Sequence, residues 1–405
     1  MGRRRVVITG MGLVSPIGSS VTEVATALRT HAHGIVSVDA WARWGVRTAL
    51  AGAVADPALP NFGRKQLRAT GKVARLAIAA TEAAIADAGL TSAQVQGPEC
   101  ALLFGSTDGS TGAAEEYYRR LYTTERFEGL LSSAYLRFMS HTCAANLAQA
   151  FGITGRVVPI CSACTSASQS IGEGFMAVAH GREEIAICGG AEELHVTVAG
   201  VFDLMLAAST GRADTHPRPF DRDRDGMVVA EGAGTLVLES WEHAQARGAR
   251  VWAEILGYGS NCDGAHLTSP SPDGMARAMR AALRDAGVGA DTLDYVNAHA
   301  TGTEVGDIAE SQAMVEALGD RVPVSSTKGH TGHTLGGCGA IESVFTIAMM
   351  HGGFIAPTRN LEHVDPRCAP LAYVRGELRE ATIRRAMNNN FAFGGINTSL
   401  VFAQV

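Results

Sequence analysis

The sequence predicts an α/β protein of two similar halves, and three observations carry that expectation. The 405 residues include 47 glycines and many alanines but only 6% aromatics, which suits helices packed closely on a sheet better than an aromatic-rich β-sandwich. Strand-like and helix-like patterns alternate along the chain. Near residue 250 the opening pattern, a β-branched run leading into Gly-x-Gly, starts again. With 46% hydrophobic and 18% charged residues, disorder and collagen-like structure are excluded.

Val6 to Thr9 reads as a strand, followed by a Gly-rich turn from Gly10 and by a helix that Ser20 and Glu23 announce at capping-box spacing. Val73 to Ala88 is helical in pattern and precedes a strand at Ala101 to Phe104. Val157 to Ile160 is a strand that runs directly into a helix from about Thr165 to Ala179. Ile185 to Cys188 and Gly234 to Leu238 are further strands, and a polar helix covers Trp241 to Arg247. The second half opens with Val251 to Ile255 running into Gly257-Tyr258-Gly259-Ser260. It continues with a helix at Gly274 to Ala286, a short strand at Tyr295 and Val296, and helices near Asp307 to Leu318 and Ile341 to Met350. Strands at Leu371 to Val374 and Thr398 to Phe402 close it. This divides the chain into residues 1–249 and 250–405, with no Pro/Ser linker between them. Ser110 to His141 is polar, fits no sheet element and reads as an insertion or an interface.

The formal charge of −6, from 34 Lys+Arg against 40 Asp+Glu, gives no reason to expect nucleic acid or a membrane surface as partner. The positive start leads into an apolar run cut by Gly10 and Gly12, too short for a signal-peptide core, and no stretch approaches a membrane span. A cytoplasmic protein with eight reduced cysteines is expected.

Cys164 stands where a strand meets a Gly/Ser-rich helix. A thiol at a helix N-terminus meets unpaired N–H groups and the positive end of the helix dipole, which favours thiolate and so a nucleophile. A small buried side chain is the plain alternative. His299 and His333 stand in Gly- and Thr-rich loops that let an imidazole approach a ligand, as acyl transfer through an oxyanion or enolate requires. Lys328 and Glu342 bracket His333 and can orient it as a buried pair or simply be solvated. The closing run Asn388-Asn389-Asn390-Phe391-Ala392-Phe393-Gly394-Gly395 is either a plain β-turn with two core phenylalanines or a loop whose N–H groups face an oxyanion, with a Phe as gate.

Three rival chemistries have partial support. Cys161-x-x-Cys164 and His330-x-x-His333 pair up as four zinc ligands on spacing, but without knuckle turns. The Cys pair as a redox couple lacks a thioredoxin-type context. Gly10-x-Gly12-x-x-Ser15 is a near miss to a dinucleotide fingerprint, with no acidic residue in the required place, and no Walker A sequence occurs.

Taken together and in this order, the Cys164, His299 and His333 motifs and the Phe-Ala-Phe-Gly-Gly loop resemble an elongating β-ketoacyl-acyl-carrier-protein synthase, over nearly the whole chain. The resemblance implies the thiolase fold, two βαβαβαββ-type halves in an αβαβα layered sandwich, and a dimer whose interface includes the region after Ser110. It implies that Cys164 takes the acyl chain from acyl carrier protein. His299 and His333 would then assist decarboxylation of malonyl-carrier protein, with the Cys164 and Phe393 N–H groups holding the oxyanion. Lys328 and Glu342 match the supporting ion pair, and Thr301, Thr303 and Ser269 match positions that bind the phosphopantetheine arm. Arg64, Lys65, Arg68 and Lys72, with Arg218, form a basic set suited to docking acidic carrier protein. No cofactor and no metal are implied. A thiolase acting on acyl-CoA would use a second cysteine in place of one histidine.

Two departures bear on substrate: Asp108 stands where an apolar gate is usual, and Phe391-Ala392-Phe393 replaces Phe-Gly-Phe. A carboxylate is costly against a saturated chain and less so against a polar or conjugated one. With Ala191-Glu192-Glu193-Leu194, these features look most like ketosynthases of type II polyene and aryl-polyene polyketide pathways. Such enzymes often pair with a chain-length-factor homologue, and otherwise form homodimers. Housekeeping fatty-acid elongation and a non-catalytic chain-length-type subunit are the alternatives.

Overall fold

The glycines of the opening motif lie inside a strand, not in a turn. In the computed structural model, which describes residues 2–405, the first strand, β1, spans Val6–Val14 and passes straight through Gly10 and Gly12. The reason is a helix lying on top of it. Helix α1, Lys72–Ala88, packs its alanines so closely that a Cβ on Gly10 would fall 2.2 Å from the Ala84 carbonyl oxygen, and one on Gly12 2.1 Å from that of Ala80. The glycines therefore serve close approach of helix and strand.

The sheet continues with β2 (Cys100–Gly105), β3 (Val157–Ile160), β4 (Ile185–Glu192) and β5 (Gly232–Ser240). The second half supplies β6 (Ala253–Cys262), β7 (Tyr295–Asn297), β8 (Pro323–Ser325), β9 (Ala372–Tyr373), β10 (Arg385–Ala392) and β11 (Ile396–Ala403). The first half runs β1-β5-β4-β2-β3, the first two pairings antiparallel and the next two parallel. The second runs β6-β11-β10-β7-β8 with the same sequence of directions, and β9 added at its edge. The repeat extends to the glycines. In β6, a Cβ on Gly257 would lie 2.4 Å from the Ala282 oxygen, and one on Gly259 2.1 Å from that of Ala278, both on helix α3, Pro272–Ala286. The halves join where Val6–Ile8 pairs antiparallel with Ala253–Ile255.

Two helices fill the space between the halves. Helix α2, Ser166–Ala179, contacts β2 and β4 on one side and β6 and β11 on the other. Helix α5, Cys338–Gly352, touches β5 and β10, and every residue from Cys338 to Met350 is buried, as befits a helix that is apolar nearly all round. With α1 outside one half and α3 and α4 (Glu304–Leu318) outside the other, five layers result, the thiolase-type α/β sandwich.

Ser20 caps a helix at Val21–Arg29, but Glu23 reaches the N–H of Ser19 rather than closing a capping box on Ser20. The segment after Ser110 lies outside the sheet and forms helices at Thr111–Thr124 and Ser132–Leu136. Its polar composition conceals an aromatic cluster of Tyr117, Tyr118, Tyr135 and Phe138, and it exposes Tyr122, Phe127 and Leu131. Among the described residues no helix is long and apolar enough to cross a membrane.

Candidate active site

The parallel strands release their chains at one edge of the sheets, where loops rather than ladders must satisfy the backbone, and the site is built there. Past β3, Ala163 takes a left-handed φ of 49° and Cys164 sits in a single 3₁₀ turn, Ala163–Thr165, one step ahead of α2. The helix end alone does not make a thiolate. Burial dominates and pushes the Cys164 thiol up to about 12, against the opposing pull of the Lys328 charge and of the N–H groups of Cys164 and Phe393, which both face the sulfur. The thiol therefore needs a proton acceptor, and His333 Nε2 lies 3.0 Å from Cys164 Sγ.

The two imidazole loops are folded by backbone bonds and by buried acids. His333 donates its N–H to Val228 O and accepts at its carbonyl from Ala230 N, which pins the ring beside the sulfur. Past β7, the N–H of His299 donates to Glu310 Oε1 at 2.8 Å, and those of Thr301 and Gly302 to Asp307 Oδ1. The two imidazoles meet edge to face with centroids 5.0 Å apart. Burial, then the nearby Lys328 charge, holds both well below the usual histidine range, so both rings are neutral at pH 7. Lys328 Nζ is 2.5 Å from Glu342 Oε1, and Glu342 Oε2 accepts from Asn390 Nδ2 at 2.8 Å.

A cavity of about 380 Å³ opens above these groups. Cys164, His299 and His333 line it together with Phe391, Phe393, Thr301, Thr303 and Ser269. The Phe393 ring tilts against Phe202, 5.5 Å between centroids, and the Phe393-Gly394-Gly395 turn carries left-handed φ values of 88° and 70° at its two glycines. Thr301 and Thr303 share a hydroxyl hydrogen bond of 3.0 Å. A thiol, two neutral imidazoles and a pair of N–H groups thus converge on one sulfur, the equipment for covalent acyl transfer.

Other expected site residues lie elsewhere. Asp108 is exposed and does not line this cavity, so in the chain alone its carboxylate does not stand beside the space open above Cys164. Lys72 is turned inward: its Nζ is 2.7 Å from Glu231, a carboxylate only 1% exposed that needs a counter-ion. Arg218 likewise pairs with the buried Asp221 at 3.1 Å. Arg64, Lys65 and Arg68 are exposed around a short 3₁₀ turn. The zinc pairing suggested by spacing fails. Both ring nitrogens of His330 face backbone oxygens, of Ala32 and Pro357, and Cys161 donates to Thr107 O.

Sequence reasoning passed over Glu310, Asp307 and Cys338, and quoted Glu192 without a place in the site. The first two carried a signal, since acids at positions 307 and 310 share a helix face with Ala313 and Met314 and are buried with them. Burial pushes Glu310 up to about 8, despite the His299 N–H it accepts. Glu192 Oε2 accepts from Thr107 N and Gly336 N, tying two site loops together.

The comparisons agree with this geometry. The family model for the β-ketoacyl synthase N-terminal domain matches residues 3–244, and that for the β-ketoacyl synthase C-terminal domain matches residues 252–362. The chain belongs to the β-ketoacyl synthase family. It is therefore an acyltransferase of the ketosynthase type. It is 37% identical to 3-oxoacyl-[acyl-carrier-protein] synthase 1 of Escherichia coli (strain K12) over 99% of both chains. A β-ketoacyl synthase from Burkholderia phymatum STM815 superposes with a TM-score of 0.96 at 44% identity, covering 99% of this chain and all of that one. The ishigamide ketosynthase/chain length factor gives 0.93 at 34% identity, with both chains fully covered.

Proposed function

We propose that this ketosynthase condenses malonyl-acyl carrier protein with an acyl chain held on Cys164, in a type II polyketide pathway that builds a polyene. The observation that carries the reading is the 3.0 Å contact of His333 Nε2 with the Cys164 sulfur, beside His299 and the two facing N–H groups. In the first half-reaction the sulfur attacks the carrier thioester carbonyl, its proton passes to His333 and the carrier departs as a thiol. The tetrahedral oxyanion sits against the N–H groups of Cys164 and Phe393. In the second, the malonyl thioester loses CO₂, and His299 and His333 hold the enolate oxygen. The enolate carbon attacks the Cys164 thioester, and the carbon–sulfur bond breaks to return the cysteine. Lys328 and Glu342 position the imidazoles, and Thr301, Thr303 and Ser269 bind the phosphopantetheine arm. No further cofactor enters these steps.

The type II polyketide part of this reading is supported by likeness, at a TM-score of 0.91 and 30% identity over the whole of both chains, to a ketosynthase described in complex with a type II PKS acyl-carrier protein, and the polyene part rests on the sequence resemblance. Fatty-acid elongation is the second reading, favoured by the Escherichia coli relative named for 3-oxoacyl-[acyl-carrier-protein] synthesis. A non-catalytic chain-length subunit is disfavoured because Cys164, His299 and His333 are all present. Arg64, Lys65 and Arg68 are the docking cations. The second subunit, a chain-length-factor homologue or another copy, covers the exposed aromatics after Ser110, and each chain divides into halves at residue 250.

Intact mass of the protein after exposure to saturated and to unsaturated acyl-carrier protein, with Cys164→Ala as control, tests this. A Cys164-dependent adduct that malonyl-carrier protein converts to a longer carrier-bound chain supports the condensing activity. Preference for the unsaturated chain selects the polyene pathway, and preference for the saturated one selects fatty-acid elongation. No adduct, alone or with a co-expressed homologue, refutes the activity.

A further inference from the structure

The zinc pairing suggested by sequence spacing does not form, but the fold assembles a different set of metal-binding atoms. One donor atom each from Cys164, His299 and His333 lies within 4.8 Å of the other two, and all three residues are buried. Tetrahedral zinc, with bonds of about 2.0–2.1 Å to nitrogen and about 2.3 Å to sulfur, sets its ligands roughly 3.3–3.6 Å apart. The His333 nitrogen, at 3.0 Å from the sulfur, thus needs to move by only a few tenths of an ångström. Both imidazoles are buried and present ring nitrogens, the commonest metal ligands in proteins. Each also carries a buried Nδ1 that lacks a hydrogen-bond partner among the described residues.

The adjoining charges permit a cation. Lys328 would repel one, but Glu342 compensates it at 2.5 Å. Cys338 and Glu342 also present a thiol and a carboxylate oxygen within 4.8 Å of a His299 ring nitrogen. The cavity above Cys164 leaves a fourth coordination position open.

We propose that Cys164, His299 and His333 bind a borderline-soft divalent cation, zinc foremost, as a three-ligand site with its open position in the substrate cavity. Binding replaces the thiol S–H bond by a zinc–sulfur bond and releases one proton to solvent. No oxidant or reductant is involved. The metal withholds the nucleophile reversibly, so free zinc acts as an inhibitor that competes with acylation and protects the thiol from alkylation. A hard cation such as Mg²⁺ finds no oxygen-rich cage in this triad and has no such effect.

The test uses the full chain with the two exposed thiols removed, Cys161→Ser and Cys262→Ser, stripped of metal by a chelator and titrated with zinc chloride or magnesium chloride. Bound metal is read by native mass spectrometry, and alkylation of Cys164 by iodoacetamide is read by peptide mass. The site predicts one bound zinc, alkylation slowed at least ~10-fold, and full reversal by chelator. His299→Ala and His333→Ala should each weaken the protection by about tenfold or more, in line with the loss of one ligand. Cobalt in place of zinc should show thiolate charge-transfer absorption that Cys164→Ser abolishes. Unchanged alkylation at saturating zinc would overturn the proposal, and so would a bound equivalent retained in full by Cys164→Ser. Neither readout involves condensation, so the outcome stands apart from the acyl chemistry.

Discussion

The Nε2 of His333 and the sulfur of Cys164 are 3.0 Å apart, a neutral base against a thiol rather than an ion pair. Burial raises the thiol and lowers the imidazole, so the proton stays on sulfur until substrate arrives. His333→Ala should therefore slow acylation of Cys164 by about 10²–10⁴-fold, the usual worth of a general base. Higher pH should recover part of the loss in the variant, because hydroxide then substitutes for the ring. Stopped-time intact mass across pH 7 to 10 measures this, and acylation at the wild-type rate in His333→Ala would remove the ring from proton transfer.

Lys328 and Glu342 form a fully buried pair beneath both imidazoles. Removing one partner strands the other, at a cost of about 3–5 kcal/mol, whereas replacing both with neutral residues of similar volume is close to neutral. Lys328→Met should lower the unfolding midpoint sharply, and Lys328→Met with Glu342→Gln should restore most of it. Denaturant unfolding of the two variants decides the matter, with equal destabilisation counting against a coupled pair.

Glu310 gives stability a pH dependence of defined sign. Its folded-state value, about 8, lies above the ordinary 4.5, so the folded state holds a proton that the unfolded state has released. That contribution is complete below about pH 4.5 and is lost as pH rises through about 8. Glu310→Gln keeps an acceptor for the His299 N–H but cannot ionise. Its stability relative to wild type should grow between pH 4.5 and 8, by an amount on the order of 5 kcal/mol. His299 and His333 titrate in both proteins and cancel in the difference. Parallel unfolding curves at all pH values would contradict this.

The helix-on-strand contacts predict a symmetric pair of intolerant positions. Gly12→Ala and Gly259→Ala each place a Cβ 2.1 Å from a helix carbonyl oxygen, of Ala80 and Ala278. Each should cost about 1–3 kcal/mol or more by forcing helix and strand apart. Gly2→Ala, with nothing within 4 Å, is the control. Thermal melts showing no loss at either position would mean that the helices shift freely.

Tyr122 and Phe127 are each 73% exposed and Leu131 is 62% exposed, on one segment outside the sheet. Such a patch is covered in an oligomer more often than left to water. Phe127→Glu combined with Leu131→Glu should shift sedimentation from the assembled mass towards that of one chain. An unchanged sedimentation profile would place the interface elsewhere.

The internal repeat was visible in the sequence because its cause is local and occurs twice, a β-branched run followed by Gly-x-Gly. Its meaning was not. A Gly-x-Gly pair reads as a turn until the helix that presses on Gly10 and Gly12 is known, and that helix begins sixty residues later at Lys72. Cys164, His299 and His333 were likewise found from residue type and loop composition, with motif order supplying the resemblance. The protonation of Cys164 was misjudged from sequence, since a helix N-terminus argues for thiolate while the enclosing residues argue against it more strongly. Lys72 and Arg218 show the same limit: a cation at the surface in sequence terms turns inward when folding buries Glu231 and Asp221 beside it. Residue types and short-range spacing determined which chemistry the chain carries. Burial and the pairing of distant charges were decided only by tertiary structure, because each depends on atoms brought together from segments far apart in the chain.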